Sequence, residues 1–378
     1  MLQGLVMNDM KRPLLAILTL SSRRMPHGKR VQRSIPFRGR AKWFADLIKE
    51  ASQRGYRAYV LPWDGTSFTA PLTGYTLSQT HGLTWKRQNF SWPHVVYNRI
   101  PDRSAEERSS YRVLLETFRE HGSKVFNERF IVKDELYRGL QSGTMKDWLP
   151  DTRPYSKQTL ADMLSEYRQV FLKPARSSQG KGVCQVNLLQ DEICQVKGLL
   201  LRPNGNLLRI SRLATVNQID RLFQSFGAAG YVCQQAVKLP VWRRQKFDFR
   251  VLVQKNARGR WSLTGWGARR NSVHRVTTHV PRGGKIGDPS RLLRNVFGRS
   301  QAEYLERYLR SEIGRLAAAV EVAVGMNMGE MSMDLAVDQN GRCWILEANS
   351  KPMKFDEPNI YRKSCRTLID YSLFLAHS

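Results

Sequence analysis

Asp334, Glu347 and Asn349 lie around one turn in the segment Ser332 to Asn349, and all three carry side-chain oxygens. The segment reads as a strand, a tight turn at Asp338 to Gly341 with Asn-Gly at its tip, and a second strand. Alternation across the pleat puts Glu347 and Asn349 on one face, and the turn folds Asp334 back beside them. Donors that are all oxygen suit Mg2+, a hard cation that keeps some of its waters and takes further ligands from phosphates.

Upstream stands a partner for such a site. Val170-Phe-Leu-Lys173 has strand character, and a loop of small residues follows through Ser177, Ser178, Gly180, Lys181 and Gly182. The glycines let backbone N–H groups approach an anion, the serines add hydroxyl donors, and Lys173 and Lys181 supply point charges suited to phosphate. No Gly-Lys-Ser/Thr leads into a helix and no G-x-G-x-x-G is present in this loop, so it is neither of the two common nucleotide loops. Between loop and hairpin, Asp248-Phe-Arg250 offers a guanidinium fork suited to phosphate or carboxylate, with Asp248 expected to hold Arg250 and Arg269 expected to complete the clamp. No Ser/His/Asp or Cys/His nucleophile arrangement stands out, so the chemistry indicated is positioning and charge neutralisation.

Lys and Arg outnumber Asp and Glu by 61 to 32, a net charge of +29 whose field attracts acidic partners such as an acidic protein or an anionic polymer. The densest basic run, Arg23 to Arg40, holds Phe37 as its single Phe, Trp or Tyr and so lacks the repeated interleaving of aromatics that a stacking platform for single strands requires, which disfavours nucleic acid. With 41% hydrophobic residues the 378-residue chain can build two or three domains. Its five cysteines show neither C-x-x-C nor zinc spacing and read as small apolar fillers in a reducing cytoplasm. Lys11-Arg12 before Leu14 to Leu20 imitates a signal peptide, but no small-residue cleavage site follows, and the run reads as a buried strand. No apolar run approaches the ~18 residues that a spanning helix needs, so no membrane span is expected.

The elements that must position these groups begin with an alternation: strand 14–20, helix 40–54, strands 56–61 and 94–97, helix 105–121 and strand 124–126. That pattern predicts a parallel sheet flanked by helices. Residues 64–92, rich in Gly, Thr, Ser and Trp, read as a small β-excursion. A helix at 130–140 carries Lys133, and Leu149-Pro-Asp-Thr-Arg-Pro154 breaks the chain. From 159 to 237 the order reads helix, strand, glycine loop, two strands, helix and strand. Strands at 247–254 and 261–269 pair, 301–324 forms the longest helix, and a last helix spans 359–375.

Tyr97-Asn-Arg-Ile100, Leu172-Lys-Pro174, Gly180-Lys-Gly182, Gln234-Gln-Ala-Val237, Asp248-Phe-Arg-Val251, Thr278-His-Val-Pro-Arg-Gly-Gly284 and Leu346-Glu-Ala-Asn349 occur in one fixed order. In that order the chain resembles the ATP-grasp superfamily, and within it the endospore coat-associated YheC/YheD-like branch, from about Leu14 to the C-terminal helix. The resemblance implies an ATP-grasp fold of α/β and α+β parts: an N-terminal Rossmann-like parallel-sheet domain at 1–128, a linker helix and lid at 129–237, and a catalytic subdomain with a metal site at 238–378. It implies ATP and Mg2+ as cofactors, with Lys133 and Lys173 on the phosphates, Ser177, Ser178, Gly180, Lys181 and Gly182 as the lid loop, and Gln234, Gln235, Ala236 and Val237 along the adenine edge. Asp334, Glu347 and Asn349 would hold the metal and Arg250 and Arg269 the transferred phosphate, with Asp248, His279, Arg282, Gly283 and Gly284 toward the substrate. The activity implied is a carboxylate–amine ligase working through an acyl phosphate in the cytoplasm, on an acidic peptide or polymer of the spore coat. The alternative is a non-catalytic, ATP-binding coat protein whose basic surface adheres to an anionic layer.

Overall fold

The computed structural model describes residues 12–22, 36–78, 84–175, 182–190, 192–201, 207–227, 230–272, 285–355 and 357–378. Apolar residues at every position but Thr19 make β1 (Leu14–Leu20) a strand buried on both faces. It joins β2 (Arg57–Trp63), β3 (Leu72–Leu77), β4 (Trp85–Phe90), β5 (Val95–Asn98) and β6 (Lys124–Phe126) in one sheet of order β4-β3-β2-β1-β5-β6. β1 runs parallel to β2 and β5, and β5 parallel to β6, as the alternation of strands and helices predicts. The expected β-excursion is the antiparallel β3–β4 hairpin, which widens the sheet. On one face Leu15 and Ile17 pack with the helices Ala41–Gln53 and Pro358–His377; on the other Leu14, Ala16 and Leu18 pack with the helix Ser109–Glu120.

A second sheet is built from β7 (Thr152–Pro154), β8 (Gln169–Pro174), β9 (Cys184–Leu188), β10 (Ile193–Leu201), β11 (Leu207–Thr215) and β12 (Tyr231–Gln235), in the order β11-β10-β9-β8-β12-β7, with every pairing antiparallel. Between the glycine loop and the helix Val216–Gln224 lie three strands, where the sequence reading had two. The break between β9 and β10 carries no Gly, Pro or Asn; Glu192 makes the turn at φ 67°, a conformation its residue type does not announce. In β8 the alternation buries Val170 and Leu172 against the helices Lys157–Tyr167 and Val216–Gln224 and leaves Phe171 and Lys173 on the opposite face.

The third sheet comprises β13 (Val241–Trp242), β14 (Gln245–Lys255), β15 (Trp261–Ser272), β16 (Lys285–Gly287), β17 (Glu330–Val337) and β18 (Cys343–Asn349), in the order β16-β15-β14-β17-β18 with β13 on β14. Phe247, Phe249, Val251, Met331, Met333, Leu335 and Ile345 form one face, covered by the helix Arg299–Val324 together with the helix Lys133–Gln141. All five cysteines are buried and free, four in strands and Cys365 in the last helix. Among the described residues no helix is long and apolar enough to cross a membrane.

Asn127 pins the first sheet to the third. Its backbone is left-handed at φ 55°. Its amide nitrogen donates to Glu330 O at 2.7 Å and to Ser350 O, while its Oδ1 accepts from Gly329 N at 2.9 Å and Glu330 N at 3.2 Å. Asn127→Ala removes all four bonds at a buried site and keeps a side chain less suited to that φ, so urea denaturation should show a stability loss of about 3 kcal/mol; a loss below about 1 kcal/mol would refute the pin.

Candidate active site

The second face of the third sheet is charged, because Asp248 and Arg250 on β14, Arg269 on β15 and Asp334 on β17 alternate with apolar positions, while on β18 Glu347 and Asn349 share the parity of Ile345 and come opposite Asp334 and Ser332 through a register shift at Leu346. The ladders pair Arg250 with Asp334, Asp334 with Glu347 and Ser332 with Asn349, so the hairpin brings its three oxygen donors to one face as the sequence predicts. A β-bulge between Asp334 and Leu335 locally bends the β17–β18 pair, the kind of irregularity that re-aims side chains. The Tyr137 hydroxyl, from the helix carrying Lys133, donates to Leu346 O at 2.8 Å and fixes β18 at that point.

Two arginines hold Asp334. Arg250 Nη1 lies 2.9 Å from Oδ1 and Arg269 Nη2 3.0 Å from Oδ2, and Arg250 Nη2 also donates to Ser332 Oγ at 2.8 Å. The sequence reading had Asp248 holding Arg250; instead Asp248 Oδ1 accepts from Arg269 Nε at 2.8 Å. The reason is register: Asp248 faces Arg269 directly across the β14–β15 ladder, whereas Arg250 stands two residues further along its own strand. Burial works against the Arg269 charge, but Asp334 and Asp248 outweigh it and hold its pKa above the ordinary arginine value.

Facing this sheet, a cavity of about 360 Å³ is lined by Phe171 and Lys173 of β8, Gln234 and Gln235 of β12, Val237, and Lys133, Asp248, Arg269, Asp334 and Glu347. Lys173 donates to Gln234 Oε1, and Gln234 Nε2 in turn donates to Thr152 Oγ1 at 2.8 Å. Burial pushes the Lys173 ammonium down to about 8; the Lys133 charge adds to the shift, and Glu347 and Asp334 oppose it. Lys133 begins its helix and sits 3.9 Å from Glu347 Oε1. Gln235 N–H and Ala236 N–H donate to Asp151 O at 2.8 Å and Gln169 O at 3.2 Å, which holds this segment against neighbouring backbone.

A second cavity, about 560 Å³, lies between the first and third sheets and is lined by Trp43, Phe44, Arg99, Phe130, Arg250, Arg269, Glu347, Asn349, Lys351 and Glu357, among others. Arg269 and Glu347 line both cavities.

A model of the YheC/D like ATP-grasp family matches residues 122–375. The chain belongs to that family. The endospore coat-associated protein YheD of Bacillus subtilis (strain 168) is 25% identical over 386 residues, covering 96% of this chain and 79% of YheD. Among solved structures, the VanG D-Ala:D-Ser ligase from Enterococcus faecalis superposes with a TM-score of 0.51 at 10% identity over 97% of this chain and 100% of that one. D-alanyl-alanine synthetase A from Vibrio cholerae gives 0.50 at 12% identity over 97% of each. These structural likenesses show the ATP-grasp fold.

Within this family fold, the sequence candidates Lys133, Lys173, Gln234, Gln235, Val237, Asp248, Arg250, Arg269, Asp334, Glu347 and Asn349 line one or both cavities, and Ala236 is buried beside them. Gly182, the last glycine of the expected lid loop, has φ 76°. Ser177, Ser178, Gly180 and Lys181, like His279, Arg282, Gly283 and Gly284, lie outside the described residues. Sequence reasoning missed Ser332, Tyr137, Thr152 and Glu357, whose roles depend on cross-strand and long-range contacts. Among the described residues no three His, Cys, Asp or Glu side chains gather into a metal cluster. The candidate set for Mg2+ is two carboxylates and an amide, all oxygen, and Asp334 and Glu347 are direct cross-strand partners, so the residues fit a hard cation.

Arg269→Met would leave Asp248 and Asp334 buried without their shared guanidinium. A stability loss of about 3 kcal/mol by denaturant titration is expected; an unchanged midpoint would show that the ion pairs of Arg269 with Asp248 and Asp334 are not what holds this face.

Proposed function

We propose that the protein is an ATP- and Mg-dependent carboxylate–amine ligase. What supports this reading most is the junction of two cavities at Arg269 and Glu347, because a two-step ligation needs a nucleotide and an acyl substrate to meet at one point. ATP would lie in the 360 Å³ cavity, its phosphates toward Lys133 and Lys173 and its base against Phe171 and the carbonyl groups of Gln234 to Val237. The carboxylate would enter from the 560 Å³ cavity. A carboxylate oxygen attacks the γ-phosphorus and the bond to ADP breaks; the amine nitrogen then attacks the acyl carbon and phosphate leaves. Arg250 and Arg269 stand where charge develops and neutralise it without reorganisation. Asp334, Glu347 and Asn349 would hold Mg2+, which would supply further charge neutralisation.

A second reading, a coat-associated adhesive protein on an ATP-grasp shell, is favoured by the net charge of +29, far more than nucleotide binding requires. Carboxylate- and amine-dependent ADP release separates the two. A panel of carboxylates and amines, with Lys173→Ala as the blank, should yield ADP only when both substrates are present, and Glu347→Gln should reduce that release by about a thousandfold with the fold intact. Full release from Glu347→Gln would remove the metal assignment.

The Lys173 shift gives nucleotide binding a pH dependence. Below about 8 the ammonium is charged and attracts phosphate; as pH rises through that value the charge is lost. Calorimetry should therefore show ATP affinity falling between pH 7 and 9 in the native protein but staying level in Lys173→Arg, which remains charged throughout. Parallel pH profiles in the two proteins would count against Lys173 as a phosphate ligand.

A further inference from the structure

Glu357 is the N-cap residue of the helix Pro358–His377, yet its side chain makes no capping bond. The residue lines the 560 Å³ cavity, and its Oε2 is buried without a hydrogen-bond partner among the described residues. Gly267 makes room for it, since a Cβ there would stand 3.1 Å from Glu357 Oε1. Gly267 is the direct cross-strand partner of Arg250, so the orphaned oxygen belongs to the end of the cavity where Arg250, Arg269 and Glu347 lie. A buried carboxylate oxygen with no donor is destabilising, and the dipole of the helix that it opens offsets part of that cost. The partner that would satisfy it is an N–H, best an ammonium.

The remaining charges of the cavity fall into two groups. Arg99 is held by Glu330 at 3.3 Å and by Pro352 O at 3.0 Å, and Lys351 by Glu106. Arg40 and Lys354 line the same cavity, are exposed, and have no ion-pair partner among the described residues. The cavity wall thus holds a buried acceptor at Glu357, exposed cations without ion-pair partners at Arg40 and Lys354, and the apolar surfaces of Trp43, Phe44, Phe130 and Phe355. About 560 Å³ is in the range that buries a ligand of several residue-sized units.

We propose that this cavity receives the amino terminus of an acidic peptide, its α-ammonium on Glu357 and its side-chain carboxylates toward Arg40 and Lys354. The assignment of that peptide as the amine substrate rests on the ligase reading; the binding site does not. In the ligation a C–N bond forms to the acyl carbon and the acyl C–O bond breaks, its electron pair leaving on phosphate. One proton of the ammonium passes to Glu357 and on to solvent before attack, and a second leaves with the phosphate.

Binding of C-terminally labelled tetraglutamate, N-acetyl-tetraglutamate and tetraglutamine to the full chain, without ATP, tests the site by fluorescence anisotropy at roughly 150 mM salt, where distant surface charges are screened. Free tetraglutamate should bind about tenfold more tightly than either other probe. Glu357→Gln should erase the gap between the free and acetylated probes, and Lys354→Glu should weaken both acidic probes. Arg307→Glu, the same charge change at an exposed position of the helix Arg299–Val324, should leave affinity within about twofold. Equal binding of the free and acetylated probes, or an equal loss in Arg307→Glu, overturns the proposal. The expected binding pattern without ADP release in the substrate panel would sustain this site and sink the ligase reading.

Discussion

Asp334 is the charge around which the third sheet's working face is organised. It is 2% exposed, and both its oxygens are bound by guanidinium groups, from Arg250 on the adjoining strand and from Arg269 one strand further. Buried charges persist only when each has a partner, and here the partners are linked in series: Asp248 holds Arg269, Arg269 and Arg250 hold Asp334, and Asp334 faces Glu347 across the hairpin. The common wall of the two cavities is a by-product of that chain, since Arg269 and Glu347 stand near its ends. A cation arriving at Asp334 would meet an oxygen pair already neutralised by arginine, so metal and guanidinium must share the carboxylate or exchange over it.

A second buried network decides where the larger cavity can be. Glu330 accepts from the Tyr97 hydroxyl and pairs with Arg99, Gln254 Nε2 donates to it at 3.1 Å, and Asn127 holds the backbone on either side. Burial raises the Glu330 pKa, opposed by Arg99 and by the bonds from Tyr97 and Gln254. Burial likewise pushes Lys351 down to about 8 against the pull of Glu106. These contacts tie the first sheet to the third, and the space left beside them is the 560 Å³ cavity.

Much of this was legible where local pattern and tertiary placement agree. The unbroken apolar run of β1 announced a strand buried on both faces, alternation in β8 sent Lys173 away from its helices, and the Asn-Gly turn set Asp334 beside Glu347. Illegible were features that depend on register or on distant chain segments. Asp248 paired across a ladder and not along its strand, because the distance between strands is shorter than that between alternate residues of one strand. The turn at Glu192 had only Asp191 to mark it, with no Gly, Pro or Asn, and its left-handed backbone falls on a glutamate. Asn127 contacts residues about 200 positions away, and nothing near it in sequence signals that bond pattern.

The last helix, Pro358–His377, packs Cys365, Leu368, Ile369, Tyr371 and Leu375 against the same apolar cluster as Leu15 and Ile17 of the first strand. During synthesis from the amino terminus, that strand is therefore made some 350 residues before part of its cover exists. The nascent sheet keeps part of an oily flank open until this helix has been made. The cluster that covers this face is therefore completed by residues from both ends of the described chain, not by the amino-terminal segment alone.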